Sequence, residues 1–192
     1  MLAPVTLRGA HVTLEPLRPE HADALWDVAR DPELWRWTLS QVRSRADLDV
    51  YIDAALDAQA AGTALPFVIL AGGTVAGSTR FGNVDLGNRR VEIGWTFVGA
   101  RWQRTGVNTE AKLLLMRHAF ETLGVRRVEW KTDALNAPSR AAIARLGATE
   151  EGTLRQHMVR DDGTSRDTVI FSLLASEWPA AEARMARRLV RS

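Results

Sequence analysis

Residues 91 to 123 place a period of two, a glycine turn and a helical period in direct succession, and few folds accept that order. Val91, Ile93, Trp95 and Phe97 alternate with Glu92, Gly94 and Thr96, which predicts a half-buried strand ending near Val98. From Asn108 onward Ala111, Leu114, Leu115 and Ala119 follow helical spacing. Leu113, Met116, Phe120 and Leu123 widen that stripe until Lys112, Arg117 and Glu121 are the clearly polar residues left. Such a helix has to lie against a sheet.

Between the two elements lies Gln103-Arg104-Thr105-Gly106-Val107-Asn108. The first N–H groups of a helix have no intrahelical partner, and the aligned peptide dipoles put positive potential there, so an anion is stabilised at that end. Gly106 lets the backbone approach the anion, while Arg101 and Arg104 add positive charge. The site suits a diphosphate; a capped helix following a strand would use the same residues. No G-x-x-x-x-G-K-[ST] occurs and no G-x-G-x-x-G follows a strand, so nucleotide hydrolysis and dinucleotide redox chemistry lack their signatures. Coenzyme A remains.

This stretch resembles motif A of the Gcn5-related N-acetyltransferases, [QR]-x-x-G-x-[GA], with Gln103, Gly106 and Asn108 at the marked positions. Asn108 departs from the small residue of that pattern. The runs N-T-E-A-K-L-L-L-M-R-H-A-F-E and N-A-P-S-R-A-A-I-A-R-L-G-A are similar to the RimJ/RimL branch, and the similarity spans nearly the whole chain. The resemblance implies acetyl-CoA as acyl donor, with its diphosphate on Gln103, Arg104, Thr105, Gly106, Val107, Asn108 and Thr109. It implies the pantetheine arm along Trp95, Thr96, Phe97 and Val98, and against Asn136. The loop between the first two helices, with Trp35 and Trp37, would line the acceptor groove. The position at which many relatives carry an acidic tyrosine is Ile143 here, so the proton donor to the leaving thiolate would be Ser139, as in the RimL-like branch.

The residues themselves leave alternatives beside several of these roles. Glu92 sits mid-strand among apolar neighbours, where an unpaired carboxylate has its pKa raised and becomes base-like. A salt bridge to Arg80 or Lys131 would instead make it structural, whereas the resemblance matches it to a catalytic glutamate. Asn136 and Ser139 could simply cap a helix. Arg140 and Arg145 could reach coenzyme phosphates or lie on the helix surface. Both tryptophans could fill core.

Composition bounds the rest. The 192 residues, 46% hydrophobic, are enough for one domain spanning 1–192. With no cysteine, acyl transfer cannot pass through a cysteinyl enzyme. His11, His21, His118 and His157 lack metal-ligand spacing, so no metal is expected. The net charge of +2 sits in residues 176 to 192, where Arg184, Arg187, Arg188 and Arg191 outnumber Glu177 and Glu182. Four arginines without interleaved aromatics do not suggest nucleic acid. There is no membrane-length apolar run and no basic segment leading into an apolar one, so a cytoplasmic protein is expected.

In chain order the patterns predict a strand at Val12 to Leu17, a helix stopping near Asp31-Pro32 with Ala22, Leu25, Trp26 and Ala29 on one face, and a helix over 45 to 61. Strands follow at Leu65 to Leu70 and Val75 to Phe81, then the central strand and helix. A parallel strand at Val128 to Thr132, a helix from Asn136 to Leu146, a hairpin through Asp161-Asp162-Gly163 and a basic amphipathic helix from Ser176 complete the chain. The last helix packs on the domain or on a second subunit, which would make a homodimer. The fold class is α+β: a mixed, mostly antiparallel twisted sheet of about seven strands flanked by helices. The expected function is transfer of an acetyl group to a primary amine by direct attack in a ternary complex. Its rivals are a non-catalytic coenzyme A sensor and a transferase using another acyl-CoA such as succinyl-CoA.

Overall fold

In the computed structural model, which describes residues 2–190, eight strands form one sheet. They are β1 (Leu7–Arg8), β2 (Val12–Pro16), β3 (Leu65–Ala71), β4 (Thr74–Asp85), β5 (Arg90–Val98), β6 (Arg127–Asp133), β7 (Thr149–Val159) and β8 (Ser165–Leu174). Their spatial order is β1-β2-β3-β4-β5-β6-β8-β7, and every pair is antiparallel except β5 with β6. That exception follows from connectivity, because helix α3 (Gly106–Arg117) carries the chain back between them. The α+β fold is therefore the one expected, with one strand more: two-residue β1 pairs with β2 and gives too short a pattern to see in sequence.

The helices divide between the two faces. On one, α1 (Ala22–Ala29) and α2 (Arg45–Ala60) cover Val68 and Phe97. On the other, α3, α4 (Ala137–Leu146) and α5 (Trp178–Leu189) pack with Phe67, Phe81, Ile93, Val128 and Phe171. Helix α2 opens on a capping box between Ser44 and Asp47 and buries Leu48, Ile52 and Ala55. In α1 the buried face includes Val28, whereas Trp26, expected there, is half-buried. Helix α5 buries Trp178, Ala181 and Met185 against its own chain, and Arg117 pairs with Glu182 at 2.7 Å. Arg191 lies outside the described residues. Among the described residues no helix is long and apolar enough to cross a membrane.

Two departures from the sequence pattern shape the site. The alternation along β5 breaks at Trp95, whose φ is +49°, opposite a register shift between Ser78 and Arg80 of β4. This bulge inverts the faces: Val91 and Ile93 enter the core on the α3 side, but Phe97 joins the core under α1 and α2. Helix α3 also begins earlier than Asn108. Thr105 is its N-cap and Gly106 its first residue, and after Arg117 the chain widens into a π-turn, His118–Thr122, before Gly124 at φ +63°. Packed between the sheet and α5, α3 is apolar nearly all round, and Lys112, expected on a polar face, is only 5% exposed.

Candidate active site

Strand β5 pairs with β6 only where Arg90, Val91 and Glu92 face Arg127, Val128 and Glu129. Among the described residues, the bulged strand has no ladder partner on that side from Ile93 onward, and β6 has none on the side facing β5 from Trp130 onward. A gap therefore opens in mid-sheet, with unpaired backbone edges facing it. The end of β5 is tied to the turn before α3, because Gln103 Nε2 donates to the Val98 carbonyl at 3.0 Å.

In that turn Thr105 is extended, its hydroxyl donating to Trp102 O at 2.6 Å and accepting from Val107 N at 3.3 Å. The amides of Arg104, Thr105 and Gly106 have no partner among the described residues. Arg104, at φ +62°, turns the chain so that these donors are consecutive. Arg101 lies 3.7 Å over the Trp102 ring, while Arg104 forms no ion pair among the described residues. Asn108 Oδ1 is buried without a donor. Val107 is buried in the core and Thr109 is half-buried, so both reach the turn through backbone.

On the α1–α2 face Glu92 is buried, and of the two alternatives the sequence left open the structure shows the salt bridge, made with Lys131. Its Oε2 accepts from Lys131 Nζ at 2.7 Å and from Asn83 Nδ2 at 2.7 Å. Its carboxylate also lies near Gly94, with Oε1 3.5 Å from where a Cβ there would sit. Asp133, at the end of β6, is held by Arg160 at 2.6 Å and faces Arg166 at 3.8 Å. Arg43, from the loop before α2, pairs with Asp161 of the β7–β8 turn at 2.6 Å.

Arg80 is not the partner of Glu92. Its guanidinium carbon lies 5.1 Å from the centroid of the Tyr51 ring and 4.8 Å from that of Trp95. Tyr51 in turn donates its hydroxyl to the Trp95 carbonyl at 3.0 Å. Burial pushes the Tyr51 phenol up, with Arg80 opposing. Trp35 is 3% exposed, donates Nε1 to Ala29 O at 2.7 Å, and packs 5.5 Å from Tyr51 and 5.1 Å from Phe97. It is a core wall behind the groove. Trp37 is half-buried, with Arg36 5.1 Å over its ring.

Across the sheet from Arg80, Lys112 Nζ donates to Thr96 Oγ1 at 2.6 Å and to Thr79 Oγ1 at 3.0 Å. The two hydroxyls lie 2.8 Å apart, and Thr96 also reaches Gly94 O at 3.2 Å, spanning the bulge. With no carboxylate nearby, burial pushes the Lys112 amine down to about 7.

Helix α4 opens where β6 ends. Asn136 Oδ1 accepts from Ser139 N at 3.1 Å, so the capping role is realised. Ser139 is half-buried and its hydroxyl has no partner among the described residues. Arg140 is engaged within the chain, donating to Ala134 O at 3.2 Å and pairing with Glu150 at 3.1 Å. Sequence reasoning did not single out Tyr51, Arg80 or Lys112 as site residues. The one available signal was Lys112, a cation inside an otherwise apolar run.

Comparison with known proteins gives this geometry a context. A family profile described as an acetyltransferase (GNAT) domain matches residues 11–149. The chain is similar to a GCN5-related N-acetyltransferase from Brucella melitensis at 34% identity and TM-score 0.91, covering 98% of this chain and 86% of that one. It is similar to Mycobacterium smegmatis RimJ in complex with CoA-disulfide at 27% identity and TM-score 0.85, covering 96% and 95%. It is also 29% identical over 180 residues to the N-acetyltransferase p20 of Bacillus licheniformis, covering 90% of this chain and 98% of that one.

Proposed function

The chain belongs to the GNAT acetyltransferase family, and on that premise we propose that it is an acetyl-CoA-dependent N-acetyltransferase of RimJ/RimL type acting on a primary amine. The observation that carries the reading is the run of three partnerless amides, Arg104 to Gly106, at the opening of α3 beside the gap between β5 and β6.

A diphosphate accepts hydrogen bonds from consecutive amides at a helix N-terminus, and exposed Arg101 and Arg104 add charge without being tied to carboxylates. Gln103 holds this turn to the end of β5. A pantetheine arm, itself amide-bearing, suits the unpaired backbone edge of Thr96 to Val98. The similar Mycobacterium smegmatis RimJ structure is a complex with CoA-disulfide, which supports the reading. The residues present therefore fit the coenzyme, and acetyl-CoA supplies the activated acyl group.

The chemistry is transfer within a ternary complex. The amine attacks the thioester carbonyl, the C–S bond breaks, the nitrogen loses a proton and the thiolate gains one. Glu92, fixed by Lys131 and Asn83, orders the incoming amine through the carboxylate edge beside Gly94. A site that orders the amine suits an α-amine near pKa 8, roughly a tenth of which is already neutral at pH 7. Ser139, at the opening of α4, donates the proton to sulfur. Asn136 orients Ser139 through the cap. Trp35 backs the acceptor side as a wall and Trp37 stands at its rim. The whole of 1–192 is taken as one catalytic domain.

Calorimetry with acetyl-CoA beside a thiol-release assay on a panel of amines tests this. Binding followed by amine-dependent thiol release is expected; binding without release for any amine would leave a coenzyme-binding protein and sink the reaction.

A further inference from the structure

Arg80 is 8% exposed and forms no salt bridge among the described residues. Its neighbours across the ladder are Pro66 of β3 and Gly94 of β5, neither of which brings an anion. Glu92, the carboxylate of β5 on the same face, is taken up by Lys131 and Asn83. A buried cation is ordinarily paired, because its desolvation is otherwise uncompensated. Here the compensation is aromatic, from Tyr51 and Trp95. Rings attract the cation through their π faces and leave its charge unneutralised.

Position gives that charge a use. Tyr51 fixes the bulge through the Trp95 carbonyl and touches Trp35, so the cation stands on the α1–α2 face beside the bulge at which β5 parts from β6. Guanidinium N–H bonds lie in one plane, and a planar carboxylate matches two of them.

We propose that Arg80 is a specificity-determining residue that receives a carboxylate of the acceptor, so the preferred amine is one that carries an acidic group. This rests on the acetyltransferase reading and deepens it by naming the acceptor class. The carboxylate belongs either to a free amino acid or to an acidic side chain close to a peptide N-terminus.

The test uses paired acceptors with the intact chain: alanine against alaninamide, and N-terminal peptides with Asp against Asn at the second position. Each is assayed with wild type, Arg80→Met and Arg80→Lys. In the wild type the acidic member of at least one pair is favoured. Arg80→Met lowers its kcat/KM about 10- to 100-fold, mainly through KM, while the neutral member and acetyl-CoA affinity stay within about threefold. Arg80→Lys restores part of the loss. An effect confined to the alanine pair assigns the α-carboxylate, and one confined to the peptides assigns a side chain. Equal losses for both members of every pair, or no acidic preference in the wild type, would overturn the proposal and leave Arg80 as packing. Titration of N-acetylalanine and N-acetylalaninamide with coenzyme A present gives a readout without turnover: preference for the acid that Arg80→Met removes supports the site, and equal binding refutes it. Absence of transfer to any amine, with that preference intact, would instead count against the enzymatic reading.

Discussion

The face of the sheet that receives α3, α4 and α5 is closed by Leu113 to Met116, Ile143, Leu146 and Met185, and its one deeply buried cation, Lys112, is met by two threonine hydroxyls. The opposite face is closed by α1 and α2 over its β2–β5 half, and elsewhere it carries Glu92 with Lys131 and Asp133 with Arg160. Both faces bury positive charge beside the bulge, but by different means. Lysine can relieve its desolvation by losing its proton, and burial drives Lys112 toward that; arginine cannot, so Arg80 remains a fixed charge. The interior of the α3 face is thus closed by packing, whereas the other face keeps a buried fixed charge, the one proposed above to meet the acceptor.

Substitutions test that division, beginning with the largest effect. Leu115→Ala, at a fully buried position, should cost about 3–4 kcal/mol in urea unfolding while the folded fraction binds acetyl-CoA normally. A matching loss of affinity would blur the distinction between faces. Lys112→Met should change how stability depends on pH. Below about pH 7 the amine is charged in both states and its burial opposes folding throughout. Between there and the unfolded value near 10.4 the unfolded chain holds the extra proton, so wild-type stability rises with pH, by roughly a few kcal/mol in all. Urea midpoints across that window should rise in the wild type and lie flatter in Lys112→Met; parallel curves would remove Lys112 as their source.

On the site side the readout is turnover. Ser139→Ala should reduce kcat about a hundredfold with acetyl-CoA affinity unchanged, and unchanged kcat would remove Ser139 from the mechanism. Glu92→Gln, which loses the ion pair but keeps a hydrogen-bonding side chain, should lower kcat by about tenfold. The smallest effect belongs to Asn136→Ala, which removes the α4 cap and should cost about 1 kcal/mol in stability. If it also lowered kcat well beyond its effect on the folded fraction, orientation of Ser139 through that cap would be the reason.

The strand, turn and helix at the centre were legible because each is a local pattern: alternation, a glycine, a helical stripe. The cap at Asn136 depends on neighbours a few residues away, and its side chain suffices to mark it. Glu92 stood out for the same reason, as a carboxylate in an apolar strand, and Lys131 and Arg80 were both candidate partners; the choice between them did not stand out, because Lys131 lies 39 positions along the chain. The bulge was invisible since Trp95 continues a good alternating pattern. It is pairing with β4 that forces the extra residue out and sends Phe97 to the other face.

By itself, then, the sequence determined which segments are strands and helices, that a helix N-terminus with free amides follows the central strand, and the resemblance that pointed to a coenzyme. Tertiary structure alone decided that β5 leaves β6 after Glu92, that Arg80 lies between two rings, and that Lys112 is shut away from water. The physical reason is range: backbone preferences and periodicity act between near neighbours, whereas desolvation and charge pairing depend on which distant residues the folded sheet brings together.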